Sequence, residues 1–125
     1  MRLLLDTHVL LWIAAADPRV THLQERIVHP SNEVYVSAAS YWEIAIKAGL
    51  GKLRTDLAAL RQTAAASGYT ELPVLGIHTE ALALLPLIHK DPFDRLLVAQ
   101  AMTEPMHFLT SDPVLAGYGA HVEII

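Results

Sequence analysis

Four acidic residues, Asp6, Glu43, Asp94 and Asp112, stand where side chains of this sequence can do chemistry. Asp6 closes the apolar run Leu3-Leu4-Leu5, and Asp112 follows Leu109-Thr110-Ser111. Asp94 falls in the first turn of a helix opened by Asp91-Pro92, and Glu43 is set among Tyr41, Trp42, Ile44 and Ile46. A carboxylate packed among large apolar groups needs a partner. Carboxylates brought together raise one another's pKa unless cations lie between them, and an oxygen-only ligand set suits Mg²⁺ or Mn²⁺. The chemistry this points to is metal-assisted hydrolysis of phosphoesters, in which a cation activates water and neutralises phosphate charge, so that no histidine base is required.

Each acid also has a purely structural reading. Asp6 caps a helix begun by Thr7, and Asp112 caps one begun by Pro113. Glu43 pairs with Lys47 one turn on. Asp91 and Asp94 approximate a capping box, with Asp94 reaching back to the first backbone N–H. A carboxylate has lone pairs enough to cap a helix and hold a metal, so for the aspartates the two readings coexist. Around the acids, the hydroxyls of Thr7, Ser37 and Thr110 are candidates to orient carboxylates or metal-bound waters, and Arg95 is a candidate for phosphate or for a neighbouring acid. Trp12, Tyr41 and Trp42 read as core or dimer contacts rather than base-stacking platforms.

The elements that must position these residues alternate. Leu3–Leu5 reads as a buried strand turning directly into a helix over Val9–Ala16. Asp17-Pro18 breaks the pattern, and Arg19–His29 has the mixed polarity of an amphipathic surface helix. Val34–Val36 is a short strand, after which Ser37 caps a helix over Ala38–Leu50. A helix over Asp56–Ser67, a strand over Glu71–Val74 and a helix over Thr79–Leu85 follow. Leu96–Met102 is apolar nearly all round, the mark of a central helix. His107–Leu109 and Val122–Ile125 complete the strands, and the alternation predicts an α/β fold with a mainly parallel sheet covered on both faces. In such a sheet the strand ends carrying Asp6 and Asp112 converge on one edge.

With 125 residues and 53% hydrophobic content, the chain is expected to form a single domain over residues 1–125 with a sizeable core. The absence of cysteine removes disulfides, thiolate nucleophiles and cysteine-ligated zinc, and fits a reducing cytoplasm. The seven histidines are scattered, with no HExxH pattern. Asp6 and His8 interrupt what would otherwise resemble a signal-peptide core, and no apolar run approaches the ~20 residues of a membrane helix, so no membrane association is expected. A net charge of −4 offers no global attraction to nucleic acid, which has to be met through bound cations or locally. The run from Lys47 to Arg61, with Lys52 and Arg54 against the single acid Asp56, is a candidate phosphate-facing rim.

The blocks Leu4–His8, Ser37–Lys47, His89–Ala101 and Leu109–Asp112 together resemble the PIN-domain ribonucleases, specifically VapC-type toxins of type II toxin–antitoxin modules. The resemblance runs essentially end to end. It implies a three-layer α/β/α sandwich with a central sheet of four to five strands, and Mg²⁺- or Mn²⁺-dependent endonucleolytic cleavage of RNA by metal-activated water. The family's acidic quartet falls on Asp6, Glu43, Asp94 and Asp112, with Thr110 matching the hydroxyl beside the last acid. A cognate antitoxin and a homodimer are the partners it implies. The alternative class is a non-catalytic Mg²⁺-binding signalling or protein-binding module of receiver type. That class wants adjacent acids after the first strand and a lysine after the last inner strand, where this chain has a lone Asp6 and Thr110-Ser111-Asp112. A haloacid-dehalogenase-like phosphatase wants an aspartate at the position of His8.

Overall fold

Leu3, Leu4 and Leu5 are wholly buried, because their strand lies in the middle of a sheet with side chains packed on both faces. The computed structural model describes residues 1–125. That strand, β1 (Arg2–Leu5), pairs in parallel with β2 (Glu33–Ser37) on one side and β4 (His107–Thr110) on the other. The edges are β3 (Thr70–Leu72), parallel to β2, and β5 (Val122–Ile124), parallel to β4. The order is β3-β2-β1-β4-β5, a five-stranded parallel sheet, so the expected four to five strands and their alternation with helices hold.

Strand periodicity divides the core into two layers. Leu3, Leu5, Val34, Val36 and Leu109 face one side and pack with Val9, Leu10, Tyr41, Ile44 and Leu60. Leu4 and Phe108 face the other and pack with Leu96, Leu97, Val98, Leu115 and Tyr118. The helices are α1 (Thr7–Ala14), α2 (Gln24–Val28), α3 (Ala38–Gly49), α4 (Leu57–Ala66), α5 (Gly76–Ala83) and α6 (Pro92–Thr103). Every residue of α6 from Leu96 to Ala101 is buried, the one polar member, Gln100, included.

Two elements depart from expectation. Arg19–His29 is not one helix: Pro18–Leu23 forms a 3₁₀ segment capped by Asp17, and only Gln24–Val28 is α-helical. Val20, Leu23 and Ile27 nevertheless all reach the core, so amphipathicity was conserved while the winding changed. The helix expected over Thr79–Leu85 instead spans Gly76–Ala83, because the N–H of Leu75 is satisfied by Nδ1 of His78 at 2.9 Å, an early stop for the preceding loop that apolar periodicity does not reveal. No helix is long and apolar enough to cross a membrane.

Candidate active site

The direction of chain progression reverses between β1 and β4, since β2 and β3 extend the sheet one way and β4 and β5 the other. A switch point of this kind opens a crevice beyond the carboxyl ends of the strands. Asp6 follows β1 and Thr110 ends β4, and the Asp6 N–H continues the ladder by donating to the Leu109 carbonyl at 2.9 Å.

Asp6 is 3% exposed, and its two oxygens are held differently. Oδ1 accepts from the Thr7 N–H at 2.7 Å as the cap of α1, while Oδ2 accepts from Thr110 Oγ1 at 2.6 Å. Thr110 also accepts from the Asp112 N–H at 3.2 Å, so one hydroxyl ties the acid after β1 to the acid after β4. Asp6 is therefore both a cap and a member of the cluster. Burial raises its pKa above the ordinary carboxylate range, against the hydrogen bonds from Thr110 and Thr7.

Glu43, on α3, is also 3% exposed. Its Oε2 pairs with Lys47 Nζ at 2.6 Å, the expected contact one turn on. Its Oε1 is buried with no hydrogen-bond partner. Asp94, in the first turn of α6, is pushed up to about 7, chiefly by burial and then by the charges of Asp6, Asp91 and Glu43, with His89 opposing. These couplings bring three sequence-distant acids onto one crevice, and Lys47 feels Glu43, Asp91 and Asp94 together. Asp112 caps the 3₁₀ turn Pro113–Tyr118 through Oδ1, which accepts from the Val114 N–H at 3.0 Å.

The capping box expected at α6 does not form as drawn. Asp91 Oδ1 caps the Phe93 and Asp94 N–H groups at 2.8 and 3.0 Å, but the Asp91 N–H donates to His89 Nδ1 at 3.0 Å instead of to Asp94. That leaves the Asp94 carboxylate free to face the other acids. The same histidine reaches Asp112 Oδ2 through Nε2 at 2.8 Å and lies 3.8 Å from Asp94 Oδ2. His89 was not singled out in the sequence; its position two residues before a helix-capping aspartate was the one available signal.

The remaining candidates separate. Thr7 Oγ1 donates to Ser40 Oγ at 3.0 Å, linking the starts of α1 and α3. Ser37 caps α3 and donates to Gln100 Oε1 at 2.6 Å, facing α6 rather than the acids. Arg95 donates to the Leu85 carbonyl at 3.3 Å and makes no ion pair with an acid. The basic run is also partly committed, Lys47 to Glu43 and Arg61 to Glu71 at 2.9 Å.

Whether a divalent cation fits these residues is answered by their chemistry. Asp6, Glu43 and Asp94 lie within electrostatic reach of one another, Asp112 joins Asp94 within 4.8 Å, Lys47 is the lysine among them, and Glu43 presents an orphaned buried oxygen. Asp94 accepts no hydrogen bond, and burying an unpartnered anion is expensive. Hard oxygen donors in this number match Mg²⁺ or Mn²⁺.

A parallel α/β sheet carrying a carboxylate cluster at its switch point belongs to the class of α/β proteins able to hold a divalent cation beyond the strand ends. The sequence matches the PIN domain over residues 3–120, and the chain belongs to that family of metal-binding nucleases. The fold is similar to that of a chain in the crystal structure of VapBC2 from Rickettsia felis bound to a DNA fragment from their promoter. The TM-score is 0.73 at 13% identity, covering 100% of this chain and 98% of the other. No curated protein matches in sequence.

Proposed function

We propose that this chain is a Mg²⁺- or Mn²⁺-dependent endoribonuclease, the toxin of a VapBC-type toxin–antitoxin pair. The observation that carries the reading is the meeting of Asp6, Glu43, Asp94 and Asp112 at the switch point, with an unpartnered buried oxygen on Glu43. Asp6, Asp94 and Asp112 hold the cation, and Glu43 completes the site. Thr110 fixes Asp6 and Asp112 relative to each other, and Lys47 limits the repulsion around Glu43. When bound, the cation lowers the pKa of water for in-line attack and neutralises charge on the phosphodiester. Asp94, Asp112 and His89 keep partly exposed side chains, as access for a polymer requires.

The VapBC2 likeness supports an antitoxin as partner, and family membership supports RNA as substrate. Apolar side chains left outside, Trp42 at 60% and Leu87 at 77% exposed, supply surface for a homodimer or for that partner. The chain acts as a single domain in the cytoplasm. The test is incubation of the purified, antitoxin-free protein with total cellular RNA and Mg²⁺ or Mn²⁺, with sequencing of new ends. Discrete ends that vanish with chelator and with Asp6→Asn are expected. Equal cleavage by wild type and Asp6→Asn would remove the site from the reaction.

A further inference from the structure

We infer that His89 is a positioning residue of the acidic site, holding Asp112 in place through Nε2 while its Nδ1 locks the start of α6. This rests on the reading of the four acids as a cation site.

His89, Asp94 and Asp112 bring ligand-type atoms within 4.8 Å of one another, which by distance alone suits a histidine-containing metal site. The hydrogen bonds argue otherwise. Nδ1 accepts from the Asp91 N–H, so in the neutral ring the proton sits on Nε2 and is donated to Asp112 Oδ2. To ligate through Nε2 the ring has to carry its proton on Nδ1, setting donor against donor at Asp91 and loosening the cap of the helix that carries Asp94. The imidazole is thus built as a hydrogen-bond bridge between two acid-bearing segments, the outer support that orients metal-binding carboxylates.

The backbone around it is fixed for the same purpose. The His89 N–H donates to Tyr118 Oη at 3.0 Å, and Tyr118 is buried at the end of the turn that Asp112 caps. Next to it, Gly117 lies so close to Ile88 that a Cβ there would stand 3.2 Å from Ile88 Cγ2. The segment before α6 and the turn after β4 are therefore clamped together, with His89 as the polar contact that reaches the site. Asp112 then has Oδ1 set by Val114 and Oδ2 set by His89, each oxygen keeping a lone pair for a cation.

Two substitutions separate the two bonds. The amide oxygen of His89→Asn stands near the place of Nδ1 and can still accept from Asp91, but nothing reaches Asp112. The amide nitrogen of His89→Gln stands near the place of Nε2 and can still donate to Asp112. Mn²⁺ affinity, measured by paramagnetic resonance of free ion, and melting temperature in chelator are read for wild type and both variants. The expected result is an affinity loss of about 10–100-fold for His89→Asn, with His89→Gln recovering most of it. Affinity unchanged in both variants would overturn the inference. So would equal loss in both with unchanged melting temperatures, since that is the pattern of a direct ligand. If wild type cuts RNA and binds Mn²⁺ while the variants fail to separate, only the role of His89 falls; if wild type does neither, the reading of the acids falls with it.

Discussion

Asp94 carries the strongest electrostatic signal in the protein, and its pH behaviour follows from the sign of its shift. A carboxyl raised from 3.8 to about 7 binds its proton more tightly folded than unfolded. The metal-free fold is therefore favoured by this group at low pH, and that advantage is lost as pH rises from about 4 through about 7. A cation has to displace the same proton, so Mn²⁺ affinity should climb with pH up to about 7 and flatten above it. Thermal melts at acid and alkaline pH, with and without Mn²⁺, check both statements. Asp94→Asn should flatten the dependence of the metal-free melts. Thr110 is the second residue-scale test, because its hydroxyl bonds both Asp6 and the Asp112 backbone. Thr110→Val should cost about 1–3 kcal/mol of stability in a denaturant titration, since it leaves a buried carboxylate oxygen unsatisfied. Mn²⁺ affinity should fall with it.

The elements fix where these residues meet, and the caps do much of that work. Asp91 takes two N–H groups at the start of α6, so Asp91→Ala should lower stability by about 1 kcal/mol, read in a denaturant titration, while its backbone N–H still donates to His89. Leu4, wholly buried in β1, should cost about 2–5 kcal/mol on truncation to alanine. Much of this scale was legible in the sequence. The leucine run of β1, the Ser37 cap of α3 and the Asp91-Pro92 start of α6 are local signals with one physical meaning, and the structure has all three. Three of the four candidate acids were legible for the same reason, since Asp6, Asp94 and Asp112 sit at or near an element boundary, whereas Glu43, midway along α3, stands out by its large apolar neighbours. What was not legible depends on tertiary contact. The early start of α5 rests on His78 capping from within the core, and His89 enters the site only because the 3₁₀ turn after Asp112 folds against it. The direction of Arg95 was likewise set by the Leu85 carbonyl, which no spacing in sequence announces.

At the scale of the molecule, one sheet joins the whole chain. β1 hydrogen-bonds to both β2 and β4, so neither half of the sheet has a complete layer without it. Unfolding should accordingly appear as one transition, with circular dichroism and tryptophan fluorescence coinciding; two separated midpoints would show independently folding parts. The charge balance sets the order of events at the site. A protein of net charge −4 with four acids at its crevice repels a polyanion until cations bind, so RNA affinity should be lower in chelator than with Mg²⁺.

The central claim is that Asp6, Glu43, Asp94 and Asp112 form one cation site, and Mn²⁺ titration of the wild type beside Asp6→Asn, Glu43→Gln, Asp94→Asn and Asp112→Asn tests it most directly. Saturable binding by wild type, weakened in each of the four folded variants, is the predicted result. Wild-type affinity retained in any of the four variants, or no saturable binding at all, would contradict it.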